Sequence, residues 1–449
     1  MASSRSSAPA DAVAAAVERS LAAHAPGISA VAVALSGGRD SVALLDALVR
    51  AAPQRGLAVS AIHVHHGLSS HADQWAAFCA ELCGERRVLF ALRRVQVAAG
   101  PRASVEAAAR HARYTALADA AVELRAGAIA LAHHQDDQAE TLLLQLGRGA
   151  GAHGLAAMPA ARRDGALLWL RPLLDVPRTA IDGYVARHRL AYVDDDSNAS
   201  SRYRRNALRH TAAPALAAVL PGYPATLARA ATLQAEAAQL LDELAGFDAT
   251  AAGDGTTLER AALARLSPAR ARNLLRWFLR THGLVAPSAA RLAAMLSQLT
   301  AAKPDARIRL AHAGVELGVH RGRIVLHPPS PGPFERPWRG EAALVFPHGT
   351  LAFVTGVDTG LAPERLAQSR VVVRGRVGGE RMQLAAGRPR RALKSLLQDA
   401  GVPQWDRESL PLVWCGDALA AVPGIGIDVA FRATPGKPAI TLDWRPAVQ

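Results

Sequence analysis

Lysine is almost missing from this sequence: Lys303, Lys394 and Lys437 are the only three in 449 residues. None precedes residue 303, which excludes a lysine Schiff base and a lysine-anchored GxxxxGK[ST] phosphate loop from the front of the chain. Cysteine is scarce as well. Three thiols, Cys79, Cys83 and Cys415, cannot build a disulfide framework and point to a reducing compartment. Cys79 and Cys83 stand four apart in FCAELC, on one face of a predicted helix, and read as small buried apolar side chains. Aromatic residues are only 4% of the chain. No stretch reaches the about 20 apolar residues of a membrane span, and the N-terminal residues lack the continuous apolar core of a signal peptide. The expectation is a cytoplasmic protein without a membrane partner.

What is present favours globular domains with a polyanionic partner. Half of the residues are hydrophobic and 20% are charged, enough for buried cores, and the length suits two or three domains. Basic residues number 52 against 38 acidic, a formal charge of +14. Such a surplus fits nucleic acid, and because it is nearly all arginine it offers planar forks for phosphate oxygens.

Residues 29–146 alternate strand and helix signals, as in a parallel sheet covered on both faces. ISAVAVAL ends at Ser36, a glycine turn follows, and SVALLDALVR has a helical pattern. Later runs repeat the alternation: LAVSAIHVHH, RVLFALRRVQV and AIALAHH as strands, with helices after each, and LLWLRPLLDVPRTAIDGYVARH as strand, proline turn and helix. Beyond about Pro214 the pattern turns helical to about residue 300, and short strands in ARIRLAHAGVELGVHRGRIVLH close this middle part. PPSPGPFERPW reads as a linker because of its prolines and glycine. The remainder, from about 341, mixes short strands with one clear helix near RRALKSLLQDAG.

Two clusters carry chemistry. Ser36-Gly37-Gly38-Arg39-Asp40-Ser41 lies between a buried strand and a helix. Glycines allow positive φ and close backbone approach, and the free N–H groups of a helix start attract an anion. Asp40 repels phosphate, so its expected role is to hold Mg2+ or to orient the loop. Neither a GxxxxGK[ST] nor a GxGxxG string is present here. The second cluster, His133-His134-Gln135-Asp136-Asp137-Gln138-Ala139-Glu140-Thr141, follows another buried strand. Asp137 and Glu140 share a helix face and suit an ammonium group or a magnesium ion. Acidic residues in a first helical turn also stabilise the helix by roughly 0.3–1 kcal/mol each; the adjacent histidines and the strand-end position favour function.

SGGRDS after a first strand resembles the PP-loop ATP pyrophosphatases, which transfer AMP from ATP to an oxygen and release pyrophosphate. IHVHHGLS at 62–69, EAAARHARYTAL at 106–117, HHQDDQAET, LRPLL at 170–174, DDDSN at 194–198 and RRNALR narrow this further. In the tail, VRGRVGGERMQL, RRALKSLLQDAGVPQWDRESLPLVWCGD and LAAVPGIGID extend the match. In order, from about residue 30 to 428, this set resembles the tRNA(Ile)-lysidine synthases. The resemblance implies an N-terminal doubly wound parallel α/β sheet of the PP-loop, adenine nucleotide alpha hydrolase-like type, a helical middle domain and a small α+β C-terminal domain. It implies a PP-loop ATP-binding catalytic domain over 1–214, a mostly helical substrate-binding domain over 215–330 and a tRNA-binding domain over 341–449.

The implied reaction adenylates the wobble cytidine of an isoleucine tRNA, using ATP and Mg2+, and joins L-lysine to it. Ser36, Gly37, Gly38, Arg39, Asp40 and Ser41 carry over as the ATP loop, with Asp40 also a candidate Mg2+ ligand. Asp137 and Glu140 carry over as the lysine-binding acidic pair, with His133 beside them. Arg110 and Arg113 correspond to arginines near the ATP and the cytidine. Asp40, His133, Asp137, Glu140 and Arg113 are thus the catalytic candidates, and Arg110 also a tRNA-binding one. Ser69 stands where many members carry arginine, which leaves any anion contact there in doubt. A tRNA thiolation enzyme or a non-catalytic RNA-binding protein are the alternatives. The sequence implies no stable protein partner and leaves a homodimer open.

For RNA contact the sequence offers two basic stretches. Arg202, Arg205 and Arg209 surround Tyr203, which suits phosphate pairing with base stacking. Arg374, Arg376, Arg381, Arg388, Arg390, Arg391 and Lys394 form the second, which resembles the surface the family uses on the tRNA acceptor arm. Replacing Arg390 and Arg391 together by alanine is expected to weaken tRNA binding and flatten its salt dependence while ATP binding persists. Filter binding over a salt series checks this; an unchanged slope removes both from the footprint.

Overall fold

The computed structural model describes residues 11–447 except 68, 70, 97–104, 195–203, 254 and 302–307. The chain forms two compact units, 1–240 and 241–449. In the first, α1 (Ala12–His24) starts at Asp11, whose carboxylate accepts hydrogen bonds from the amides of Val13 (3.1 Å) and Ala14 (3.3 Å). Then follow β1 (Ala30–Ala34), α2 (Arg39–Arg55), β2 (Ala58–His65), α3 (Ala72–Glu85), β3 (Leu89–Arg94) and α4 (Val105–Glu123). The alternation continues with β4 (Ala128–Ala130), α5 (Gln135–Leu146), α6 (Ala152–Leu155), β5 (Ala161–Asp164), β6 (Leu167–Leu170) and α7 (Arg178–Arg187).

These strands form one sheet in the order β3-β2-β1-β4-β6-β5. All neighbours are parallel except the edge strand β5, which runs antiparallel to β6. Val31, Ala32, Val33, Ala128, Ile129 and Ala130 are fully buried, as central parallel strands require with both faces covered. One face packs on Leu44, Leu45, Leu48, Cys79, Ile181 and Tyr184, the other on Leu117, Ala120, Ala121 and Trp169. The doubly wound sheet expected from the alternating pattern is therefore present. Strand order reverses between β1 and β4. In such sheets the crevice for ligands lies outside the carboxyl ends at that reversal, here after residues 34 and 130.

One buried polar group helps to fix the helices over this sheet. Asp46 of α2 accepts hydrogen bonds from the Tyr184 hydroxyl of α7 (2.8 Å) and from Arg50 Nε (2.6 Å). After α7 come α8 (Arg204–Ala207), a π-helical stretch (Leu208–Ala212), α9 (Ala213–Val219) and α10 (Tyr223–Ala252), within which the two units divide.

The second unit opens with β7 (Leu258–Glu259), α11 (Arg260–Arg265), α12 (Pro268–Thr281), α13 (Ala289–Ala301), β8 (Arg309–His312), β9 (Val315–His320) and β10 (Arg323–His327). The four strands pair as β7-β10-β9-β8, and Leu274, Phe278, Leu292, Met295, Leu317 and Ile324 are buried in one cluster. Next come β11 (Glu335–Trp338), β12 (Ala343–Phe346), β13 (Gly349–Val357), α14 (Pro363–Leu366), β14 (Val371–Arg374), β15 (Arg381–Met382) and β16 (Arg391–Ala392). The chain closes with α15 (Leu393–Asp399), α16 (Gln404–Ser409), β17 (Leu412–Cys415), β18 (Ala418–Val422), β19 (Gly426–Ile427) and β20 (Pro438–Pro446). They form sheets β11-β14-β17-β18-β19, β12-β13-β20 and β15-β16. The Trp405 ring of α16 stacks on His327 of β10 with centroids 4.1 Å apart. Gly318 of β9 permits this, because a Cβ there would sit 2.6 Å from the Trp405 ring.

The linker expected over PPSPGPFERPW needs correction in its second half. Glu335–Trp338 is strand β11, paired antiparallel with β14 from Glu335 opposite Arg374 to Trp338 opposite Val371. Pro337 is tolerated because β11 is the outermost strand, where a missing N–H costs no ladder bond.

Tyr184→Phe removes one donor from the buried Asp46 while Arg50 remains. We expect a loss of about 1–2 kcal/mol in urea unfolding with nucleotide binding unchanged. A stability equal to the parent chain would mean that Arg50, with Arg86 at 3.9 Å, satisfies the carboxylate.

Candidate active site

The Ser36–Ser41 loop joins β1 to α2 at the strand-order reversal and is held by its own hydroxyls. Ser41 Oγ donates to Gly38 O (2.8 Å) and accepts from the Ser36 amide (3.2 Å), and Gly38 N donates to Ser36 Oγ (3.3 Å). Gly37 has φ +87°, and a Cβ there would meet Val193 Cγ2 at 2.9 Å and Cys79 Sγ at 3.2 Å, so only glycine fits. Gly38 is the N-cap of α2, and no side chain caps it, which leaves the helix start to an anion. The Arg39 guanidinium pairs with Asp182 of α7 and lies 5.0 Å from the Tyr192 ring centre. A phosphate contact from residue 39 would thus come from its main chain.

Asp40 is half-buried, with Oδ1 enclosed by the protein. Burial raises its carboxyl pKa, the nearby Asp137 adds to this, and His134 and Arg178 work against it. Its Oδ2 lies 3.7 Å from His134 Nε2, and its buried Oδ1 has no hydrogen-bond partner. An orphaned carboxylate oxygen beside an anion-binding turn fits Mg2+, which binds through one or two carboxylates together with substrate phosphates. Among the described residues no group of three or more His, Cys, Asp or Glu is arranged to hold a metal without such help.

The His133–Glu140 segment leaves β4 and starts α5. His134 is the N-cap: its Nδ1 accepts from Asp136 N (3.3 Å), while Asp137 Oδ2 accepts from His134 N (3.0 Å), a capping box with histidine as the first partner. Asp137 therefore stabilises the helix start with one oxygen and keeps the other for the site. Burial works to raise its pKa, but His134, Arg205 and His133 outweigh it and the net shift is downward. Glu140 is buried one turn further along α5. Burial drives His133 the other way, to about 3, so its ring is neutral at pH 7, and its Nδ1 has no hydrogen-bond partner.

Both free faces of the acidic pair are occupied by arginine. Arg205 of α8 donates from Nε to Glu140 Oε2 (2.8 Å) and from Nη2 to Asp137 Oδ1 (2.9 Å). Arg209, in the π-helical stretch, donates from Nε to Glu140 Oε1 (2.7 Å) and from Nη2 to Glu140 Oε2 (3.0 Å). The sequence assigned these two arginines to RNA; their partners in this structure are the carboxylates assigned to lysine. Arg202 and Tyr203 lie outside the described residues. Arg110 donates to the Tyr114 hydroxyl (3.2 Å), and Tyr114 packs on Trp169 with centroids 4.9 Å apart. Arg113 is half-buried; loss of hydration lowers its pKa, and the charges of Arg110 and Arg205 lower it further.

Three nearby residues escaped the sequence reading. Arg171 of the LRPLL motif is buried, donates to Pro159 O (2.9 Å) and carries an unpartnered Nε. Arg178 lies close enough to lower the Asp40 pKa, and the Tyr223 hydroxyl feels Asp136 and Glu140. The LRPLL motif was the one available signal; Arg178 and Tyr223 have none.

In the second unit the tail basic residues are partly engaged. Arg374 lies 4.3 Å from the Trp414 ring centre, Arg381 and Arg390 exchange hydrogen bonds with each other's carbonyls, and Arg390 also reaches Asp428 (3.1 Å). Arg391 pairs with Asp399 (2.6 Å), and Lys394 is exposed on α15.

Comparison with known proteins assigns the family. Residues 12–216 match the PP-loop domain, 258–325 the TilS substrate binding domain and 371–444 the TilS substrate C-terminal domain. The tRNA(Ile)-lysidine synthase of Nitrosomonas europaea is 42% identical over 92% of this chain and 92% of its own. That of Chromobacterium violaceum is 43% identical over 94% and 96%. Among solved structures, the U34-tRNA thiolase NcsA from Methanococcus maripaludis aligns over 49% of this chain and 76% of its own, at TM-score 0.41 and 17% identity. A TilS C-terminal domain aligns over 26% of this chain and 99% of its own, at TM-score 0.23 and 23% identity. At such identity over nearly the whole of both sequences, the chain belongs to the tRNA(Ile)-lysidine synthase family.

Proposed function

We propose that this chain is an ATP-dependent ligase that joins L-lysine to C2 of the wobble cytidine in the CAU anticodon of tRNA(Ile), forming lysidine and switching decoding from AUG to AUA. The base's C2 carbonyl oxygen attacks the α-phosphorus of ATP and pyrophosphate leaves. A lysine amine then bonds to C2, AMP leaves with that oxygen, and the amine loses a proton. The observation that carries this reading is the meeting, at one strand-order reversal, of an uncapped glycine turn and a buried carboxylate pair.

Each residue role follows from its chemistry. Main-chain N–H groups of Gly37 and of residues 39–41 bind the polyphosphate and orient its α-phosphorus. Mg2+ held by Asp40 and the phosphates would neutralise charge on the pyrophosphate. Asp137 and Glu140 hold the lysine ammonium that does not react, which fixes the reach of the other amine. The neutral His133 ring beside Asp137 offers its unpartnered Nδ1 for a hydrogen bond to the bound substrate. Arg113 and Arg110 supply positive charge near the ATP and the cytidine. The C-terminal basic stretch grips the tRNA through its arginines and Lys394. A thiolation enzyme fits poorly, because burial pushes Cys79 up to about 12 and Cys83 to about 11, far from a reactive thiolate.

Nucleoside mass analysis of unmodified tRNA incubated with ATP and labelled lysine tests the function, and unaltered cytidine would refute it. Asp137→Asn, which keeps a capping oxygen, is expected to cut lysine transfer about 10- to 100-fold. Pyrophosphate release in the first step should survive in that variant; equal loss of both steps would take Asp137 out of the lysine role.

A further inference from the structure

The acidic pair assigned to lysine is already neutralised by the chain itself. Two carboxylates face two guanidiniums, with four contacts between 2.7 and 3.0 Å. Against this balanced quartet an incoming ammonium gains no net attraction, and it meets two like charges. The layering is equally specific. Asp137 and Glu140 side chains are 14% and 6% exposed, whereas Arg205 and Arg209 are 25% and 28% exposed. The cations thus lie between the carboxylates and solvent. Arg209 is carried by the π-helical stretch Leu208–Ala212, a backbone form that is rare and tends to occur at functional sites.

Resting on the lysine role of Asp137 and Glu140, we propose that Arg205 and Arg209 are a latch on the lysine pocket. They satisfy the carboxylates while no RNA is bound, and backbone phosphates of the tRNA draw the guanidiniums away so that lysine enters second. Each guanidinium leaves a carboxylate for a phosphate, and the single ammonium then restores one of the two positive charges between Asp137 and Glu140. A planar fork suits both partners, since carboxylate and phosphate each accept two parallel N–H bonds. Free lysine is thereby kept out until the base it is to modify is present.

The test is equilibrium dialysis of labelled lysine against the full chain, with and without unmodified tRNA and with no ATP. The parent chain should bind lysine at least about tenfold more tightly when tRNA is present. The Arg205→Gln, Arg209→Gln double variant should bind lysine at least about tenfold more tightly than the parent without tRNA, and tRNA should then add less than about threefold. Because that variant leaves two buried carboxylates unpaired, its melting temperature should fall, and lysine should raise it more than it raises the parent's. Arg209→Gln alone, which keeps one guanidinium in place, should lie between the two. Lysine binding that is unchanged or weakened in both variants would overturn the latch, as would a parent affinity indifferent to tRNA. Asp137→Asn separates the two readings. If lysine still binds there undiminished, the acidic pair is not its site and both fall; if binding is lost while the arginine variants gain nothing, the latch alone fails.

Discussion

The central constraint on this protein is the reversal of strand order between β1 and β4. Two connections leave that point on opposite faces of the sheet, so their first residues are left facing one another with no helix between them. Everything chemical in the first unit follows from what the two connections begin with: one with glycine and hydroxyl, the other with histidine and carboxylate. The apolar strands beneath supply rigidity, and the helices supply the amides and the turn that set each side chain's direction.

Electrostatics in this crevice is a matter of burial set against pairing. Asp40 is partly buried and Asp137 more so, yet they shift in opposite directions, because Asp137 has His134, guanidiniums and a backbone amide beside it and Asp40 has an unpartnered oxygen. Buried charge of this kind persists where it is matched or where a ligand will match it. The near-absence of lysine fits the same scheme. A guanidinium can bridge Asp137 and Glu140 at once, which a single ammonium on a flexible stem does less well.

How much of this was legible in the sequence depends on range. SGGRDS and HHQDDQAET were legible because each is a local string whose neighbours in space are also its neighbours in sequence. The doubly wound sheet was legible from its alternating periods, although the antiparallel edge strand Ala161–Asp164, with its run ARRD, carries no apolar signal at all. The partnership of Arg205 and Arg209 with the acidic pair was not legible. It spans about 65 to 72 positions, and a basic cluster in isolation points equally to phosphate. Strand β11 was hidden by proline, a residue whose meaning changes between a central and an outer strand. Trp405 on His327 is another long-range contact, signalled in the sequence only by the glycine that makes room for it.

The capping box at the start of α5 ties Asp137 to the fold through one oxygen, while the other meets Arg205. Charge and cap are separable at this position: asparagine would keep an oxygen for the His134 amide and drop the charge that Arg205 meets, whereas alanine would lose both.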